Sequence, residues 1–340
     1  MRAMGRAETH ASRAKARGLP RAPLTFAAFP FMLPVLVDEV PEGPDWVFEL
    51  KLDGVRVLAL RARGRARLCS RNGLDVTGQY PEVAAAIDRL PGEDLVLDGE
   101  IVALDEQGRP SFQLLQRRMH TSRPVASVPI VAYLYDCLAL RGRDLRGLGL
   151  RDRKARLREL VPAIDPLRYT DHFEGDGERF FRAACEAGLE GVIAKRADGP
   201  YRGGRHPEWR KIKCQRRQEF VIGGYTDPKG TRAHLGAVHL GVYEDDALVY
   251  VGRAGSGLDE AGLRDLHRRL HAREVATCPF TRGEPPRGRE HHWVRPELVC
   301  EVRFSEWTTD GHLRHPVFLG LREDKRPEEV RHERAATPRS

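Results

Sequence analysis

Lys51 stands in the run Glu49-Leu50-Lys51-Leu52-Asp53-Gly54-Val55-Arg56, between the apolar stretches Trp46–Phe48 and Val57–Leu60. An amine set among carboxylates is a candidate nucleophile once it sheds its proton. A free lysine, with pKa ~10.4, keeps that proton at neutral pH and needs help to lose it. Alternation along a strand puts Glu49, Lys51 and Asp53 on one face. Gly54 then allows a sharp turn through a backbone angle that other residues avoid. The same run also reads as a surface salt-bridge ladder on a hairpin, and the rest of the chain decides between the two.

Three further stretches carry charges where charges are costly. Leu95–Leu104 is an apolar strand interrupted by Asp98 and Glu100, two residues apart and so on one face. Acids there must be paired or must hold a cation. Glu190-Gly191-Val192-Ile193-Ala194-Lys195 again has a carboxylate at the head of an apolar strand. In Trp209-Arg210-Lys211-Ile212-Lys213 the two lysines alternate and share a face, although a solvated edge strand would look the same. Between them the apolar strand Ile130–Leu138 carries Tyr133, Tyr135 and Asp136. His291, His292 and His315 have no carboxylate or cysteine at ligand spacing, so core or surface roles suit them better than metal binding.

The elements that must position these residues are legible in outline. Residues 1–24 are rich in Ala and Arg and lack an apolar core segment, so they are not a secretory signal. They read as a disordered basic arm, with an organellar transit peptide and a misassigned start as alternatives. Strands and one helix fill Phe26–Leu104. That helix opens at Pro81 and carries Val83, Ile87 and Leu90 as its stripe. A charged helix is expected over Arg151–Leu160, and another near Glu178–Ala187 with Gly188 as its cap. After Gln218 the text changes to short strands, a helix around Asp259–Ala272 with Leu263, Leu266 and Leu270 inside, and a strand over Val299–Trp307. Strands of a small barrel with one helix are the OB pattern. The expected division is a 1–24 arm, a 25–218 domain, a 219–332 barrel and a 333–340 tail.

The chain has 340 residues, 41% hydrophobic and 31% charged, enough for two domains with their own cores. Its net charge of +8 points to an anionic partner, nucleic acid first. No apolar run approaches the ~20 residues that span a bilayer. The six cysteines are scattered with no C-x-x-C pair, which argues against a zinc module and fits free thiols in a reducing cytoplasm.

Taken in order, Lys-x-Asp-Gly-x-Arg at 51–56, Ser-Arg-Asn-Gly at 70–73, Asp-Gly-Glu at 98–100, Tyr-Asp at 135–136, Glu-Gly-x-x-x-Lys at 190–195 and Lys-x-Lys at 211–213 resemble the motif series of the covalent nucleotidyltransferases. That superfamily holds ATP-dependent DNA ligases, RNA ligases and mRNA capping enzymes. The run Asp310–Phe318 and the following Arg322-Glu323-Asp324-Lys325 are similar to the OB domain of bacterial ATP-dependent DNA ligases of the end-joining type. The resemblance covers about residues 28–332. It implies an α+β fold: a nucleotidyltransferase domain of ATP-grasp-like antiparallel sheets with helices, then an OB-fold β-barrel.

The resemblance also implies the roles. Lys51 attacks the α-phosphorus of ATP and carries AMP, which passes to a DNA 5′-phosphate before a 3′-hydroxyl seals the strand. Lys211 and Lys213 hold the triphosphate and, with Mg²⁺ or Mn²⁺, favour the neutral amine. Glu100 and Glu190 are the metal-associated carboxylates, with Asp53 as a third. Tyr135 stacks on the adenine, with Tyr133 as a fallback, and Glu49 meets the adenine edge. Arg56 and Arg71 touch the sugar and later the 5′-phosphate, and Arg205 is a further phosphate contact. Arg322, Asp324 and Lys325 orient pyrophosphate. Implied partners are duplex DNA with nicks or ends, a Ku-type end-binding protein, and separate polymerase or nuclease modules, around a monomeric, cytoplasmic, nucleoid-associated protein. Two alternatives remain at this point: an RNA ligase or capping guanylyltransferase, and a non-catalytic nucleic-acid-binding OB protein.

Overall fold

The computed structural model describes residues 18–119, 128–161, 164–228 and 234–333. The chain divides into two compact units, with the boundary after Cys214, a few residues before the expected Gln218. Arg217 already lies on the first strand of the second unit, so the change of composition trails the change of fold.

In the first unit the strands are β1 (Met32–Leu36), β2 (Trp46–Leu50), β3 (Val55–Ala62), β4 (Arg65–Ser70), β5 (Leu95–Ala103), β6 (Ile130–Leu140), β7 (Arg143–Asp144), β8 (Leu167–Tyr169), β9 (Phe173–Glu174), β10 (Gly191–Arg196) and β11 (Gly204–Lys213). The helices are α1 (Pro81–Asp88), α2 (Phe112–Met119), α3 (Leu150–Leu160) and α4 (Gly177–Glu186). One sheet runs β4-β3-β5-β6-β7, with β8 added beside β6; the other runs β1-β11-β10-β2-β9.

Alternation explains how both sheets are covered. From β3, β5 and β6, one set of side chains, including Val57, Ala59, Leu97, Ile101 and Leu134, joins Ile87 of α1 and Leu157 of α3 in the largest core. The opposite set, Leu58, Leu60, Val96 and Leu138, meets Phe29, Met32, Tyr201 and Trp209 of the second sheet's side. On the second sheet Trp46, Phe48, Val192, Ala194 and Ile212 lie under Ala184 of α4, with Phe180 and Phe181 packed alongside. What remains between the sheets is the face that holds Glu49, Lys195 and the lysines of β11.

The local signals are borne out by the helices. Pro81 opens α1, whose Val83 and Ile87 are buried, as is Leu90 just beyond its end. Gly188 follows α4 at φ +73°, with its N–H on the Cys185 carbonyl. Gly54 differs from expectation. It takes no positive φ. A β-carbon there would stand 2.2 Å from the Ile101 carbonyl oxygen, so the requirement is close approach of the β2–β3 corner to β5.

Two expectations are corrected. Residues 1–17 of the expected arm lie outside the described residues. Residues 19–24 are held: Asp144 N–H donates to the Pro20 carbonyl, Ala22 N–H donates to the Gly142 carbonyl at 2.9 Å, and Leu24 packs on the core. Apolar residues and free backbone groups beside the β6–β7 turn account for that order. The cysteines are not all free, since Cys185 at the end of α4 is bonded to Cys214 just after β11.

The second unit pairs β12 (Arg217–Thr226), β13 (Val238–Glu244), β14 (Ala247–Ala254), β15 (Glu274–Val275), β16 (His291–Arg303) and β19 (Val317–Leu321) in one sheet, ordered β14-β13-β12-β16-β15 with β19 on β16. A two-stranded piece, β17 (Glu306–Trp307) with β18 (Leu313–Arg314), completes it. The helix α5 (Glu260–His271) is capped by Asp259 and buries Leu263, Leu266 and Leu270, as its spacing predicts. Of the expected tail, residues 334–340 lie outside the described residues.

Candidate active site

Lys51 follows β2 directly. Its backbone N–H donates to the Gly191 carbonyl at 2.9 Å, so the main chain fixes where its side chain begins. Its ammonium pairs with the Glu190 carboxylate, whose side chain is 5% exposed against 21% for Lys51. Pairing across the sheet explains why the lysines of β11 face the same way. Glu49 is opposite Ile193 and Ile193 opposite Lys211, while Gly191 is opposite Lys213. Residues opposite one another share a face, and two strand spacings separate β2 from β11 by roughly 10 Å. Lys211 and Lys213 therefore look onto the space in front of Lys51. A β-carbon on Gly191 would fall 2.0 Å from the Ile212 carbonyl oxygen, which is why the chain between Glu190 and the lysine strand needs glycine.

The facing sheet supplies a second row. Arg56, Glu100 and Tyr133 are direct partners across β3, β5 and β6. Glu100 and Tyr133 are half-buried, while Asp98 is fully buried. Arg56 donates to Asp98 through Nε at 3.0 Å and Nη2 at 2.6 Å, and to the Met32 carbonyl through Nη1 at 2.8 Å. Tyr201 Oη donates to Asp98 Oδ2 at 2.7 Å and Tyr135 Oη to Oδ1 at 3.1 Å. Burial works against the Arg56 charge, and Asp98 more than offsets it, so the guanidinium stays above its usual range. Arg56 thus braces the interior, and its fork is already filled by Asp98.

Tyr135, expected to stack on the adenine, is enclosed in this structure. It is 9% exposed, with Lys195 Nζ 4.2 Å from its ring centroid and Trp209 meeting it edge-on at 6.1 Å. The pairing of β5 with β6 shifts between Asp98 and Gly99, so that Asp98 faces Asp136, Gly99 faces Leu134, and Tyr135 is the extra residue. Such a bulge re-aims one side chain. A purine needs an open ring face, and Tyr133, opposite Glu100, is the less buried of the two.

The Glu49 side chain is turned inward, which leaves its backbone for the expected contact with the adenine edge. It is 2% exposed, and its oxygens accept from Lys154 of α3 and from Lys195 of β10, the latter at 2.6 Å. Burial raises the Glu49 pKa, but the two ammonium groups outweigh it, and the carboxyl sits below its usual range. Burial pushes the Lys195 ammonium down, and Lys154 adds to that push against the pull of Glu49. The expected ladder of Glu49, Lys51 and Asp53 is therefore broken: the side chain of Glu49 is committed to the interior. Sequence reading missed Lys154, Tyr201 and Trp209, because only the folded chain brings α3, the loop before β11 and the middle of β11 together at this face.

The remaining candidates divide. Asp53 is half-buried in the turn between β2 and β3. Arg71 is half-buried in the turn after β4 and makes no hydrogen bond or ion pair among the described residues. Arg205 is exposed and donates to the Pro34 carbonyl at 2.9 Å. In the second unit Arg322 holds Asp324 through Nε and Nη2, both at 2.8 Å, and Glu301 through Nη1 at 3.0 Å. Lys325 pairs with Glu219 at 2.9 Å. A buried guanidinium needs such partners. These residues are neither a solvated tail nor a set of donors turned outward. His292 does meet a carboxylate in space, Asp227 at 2.8 Å, yet no group of three ligands able to hold a metal occurs among the described residues.

No described helix is long and apolar enough to cross a membrane. Residues 33–213 match the ATP dependent DNA ligase domain, and residues 231–325 the ATP dependent DNA ligase C terminal region. The multifunctional non-homologous end joining protein LigD of Pseudomonas aeruginosa is 43% identical over 309 residues, covering 89% of this chain and 36% of that protein. The LigD of Mycobacterium tuberculosis strain H37Rv is 40% identical over 292 residues, covering 85% and 38%. The chain thus spans a little over a third of the curated relatives it matches. Among solved structures, mycobacterial DNA ligase D complexed with ATP and MES is 36% identical with a TM-score of 0.67, over 90% of this chain and 99% of that one. The ligase domain from M. tuberculosis LigD is 35% identical with a TM-score of 0.50, over 91% and 100%. With its lysine, carboxylates and paired strand lysines on a nucleotidyltransferase unit followed by an OB-fold unit, this chain belongs to the ATP-dependent DNA ligases.

Proposed function

We propose that the protein seals nicks or breaks in duplex DNA during end joining, through AMP carried on Lys51. The observation that carries this reading is the placement of Lys51: anchored by its backbone to Gly191, paired with Glu190, and faced by Lys211 and Lys213. In the first step the neutral amine attacks the α-phosphorus of ATP, a nitrogen–phosphorus bond forms, and the bond to pyrophosphate breaks. Lys211 and Lys213 stabilise charge shifting onto the phosphate oxygens. Tyr133 takes the stacking role in place of Tyr135, and Arg71 and Arg205 are the arginines still able to turn towards phosphate.

The donor set suits Mg²⁺. Glu100 and Glu190 offer hard oxygen ligands, no group of three His, Cys, Asp or Glu able to hold a metal occurs among the described residues, and Mg²⁺ prefers one or two carboxylates with water and phosphate. Bound there, it would neutralise triphosphate charge. Asp53 serves as an outer partner. We further propose that Arg322, Asp324 and Lys325 leave their present partners when pyrophosphate must be oriented, and that a Ku-type protein or separate processing modules deliver ends to this cytoplasmic enzyme. The test is sealing of a nicked duplex with ATP and Mg²⁺. Lys51→Ala should lose sealing entirely and show no AMP adduct by mass spectrometry. A mutant that still carries AMP, or a wild type labelled by GTP in place of ATP, refutes the reading.

A further inference from the structure

Glu190 and Lys213 are tied together by more than the sheet. Cys185 closes the last turn of α4, Cys214 follows Lys213, and their sulfurs are joined. The covalent ring so formed spans 29 positions and contains Glu190, Lys195, Trp209, Lys211 and Lys213. Inside that ring the Cys214 N–H donates to the Glu190 carbonyl at 3.0 Å, and Gly191, the next residue, accepts from Lys51. Leu189 and Gly188 hydrogen-bond back to Ala184 and Cys185, so the α4–β10 connection is anchored at the same cysteine. Cys214 is also the last residue before the second unit.

The other four cysteines are differently placed. Cys69, Cys137 and Cys300 are buried and Cys278 is partly so, and burial pushes all four thiols up, away from the reactive thiolate. Cys185 and Cys214 are both partly exposed.

We propose that Cys185 and Cys214 are a reversible redox site, and that the bonded state is the one that holds Glu190 and Lys213 in place for adenylyl transfer. A low-molecular-weight disulfide oxidises the pair: one thiolate attacks it and expels one thiol, the second cysteine then displaces the other, and two electrons and two protons leave on the two small thiols. A dithiol reverses the exchange. Reduction leaves the β10–β11 ladder intact but frees the end of α4 from Cys214, so the segment around Glu190 gains motion. Positioning of reacting groups is sensitive to that motion.

The kinetic part of this proposal rests on the Lys51 reading, and the structural part does not. The test uses the full chain in glutathione disulfide, in dithiothreitol, and as Cys185→Ser and Cys214→Ser variants. Under denaturing conditions the oxidised wild type should show four titratable thiols and the reduced protein six. Hydrogen exchange over residues 188–192 should be faster after reduction and in both variants. Formation of the Lys51 adenylate should slow several-fold on reduction of the wild type and be equally slow, and indifferent to redox state, in the variants. Six thiols in the oxidised sample, or exchange unchanged by reduction, overturns the site. Altered exchange with an unchanged adenylation rate overturns its role in positioning. Absence of the adenylate in every sample refutes the Lys51 reading, while thiol count and exchange still decide the bond.

Discussion

Lys195 shows what the interior of this site demands of single residues. Its ammonium lies over the rings of Tyr135 and Trp209 and against Glu49, with Lys154 on the other oxygen. Removing one partner from such a buried cluster leaves charge uncompensated. Lys195→Met should therefore cost about 3–5 kcal/mol, measured by denaturant unfolding; a loss well below that would mean that water reaches Glu49. His239 gives the pH counterpart in the second unit. Burial, with repulsion from His291 and Arg253, pushes its pKa down to about 3. The unfolded chain binds this proton near pH 6.5 and the folded chain does not, so stability is full above that value and falls as pH drops towards 3. His239→Gln should remove a slope worth on the order of 4 kcal/mol at the acid end, read from unfolding of the second unit between pH 7 and 4. At this scale the sequence placed Lys51, Glu190, Lys211 and Lys213 on strands or at strand ends, because each sits on regular backbone where alternation holds. It could not show the enclosure of Tyr135, because a bulge turns one residue without any mark in the text. It also could not show that the donors of Arg56 and the oxygens of Glu49 are already taken.

The strands and helices explain where that legibility ends. Helices with a proline or aspartate at the start, such as α1 and α5, were readable from capping and stripe alone. The short strands β7, β8 and β9 carry weak local signals and exist through their partners in the sheets. Close approach of strands is equally silent in sequence. Gly54 reads as a turn glycine and proves to be a contact glycine. Gly191→Ala would press a methyl group against the Ile212 carbonyl, and backbone gives way poorly. Destabilisation by about 2 kcal/mol or more is expected, with a fall in melting temperature and weaker Lys51 adenylation. An unchanged melting temperature would show that β10 and β11 can spread.

The whole molecule is two units of unlike kind joined at Cys214, with a net charge of +8. Under the proposed function, that excess of arginine and lysine supplies the sequence-independent part of DNA affinity. Binding to a nicked duplex should weaken at least about tenfold between 50 and 200 mM salt, as counterions released from phosphates are restored. A flat salt response would refute a DNA contact made mainly through phosphates. The family and the order of the domains were legible because motif order survives divergence. The boundary was less so, since composition changes gradually where the fold changes at once.

One main-chain bond has a wider consequence. Because the amide of Lys51 is fastened to Gly191, the root of the proposed nucleophile belongs to a lattice of peptide groups and not to any side chain around it. Neighbouring side chains can therefore be exchanged to retune nucleotide choice while the amine keeps its origin. An engineer seeking a ligase for altered nucleotides should redraw Tyr133 and leave Glu100 and the β2–β10 seam untouched.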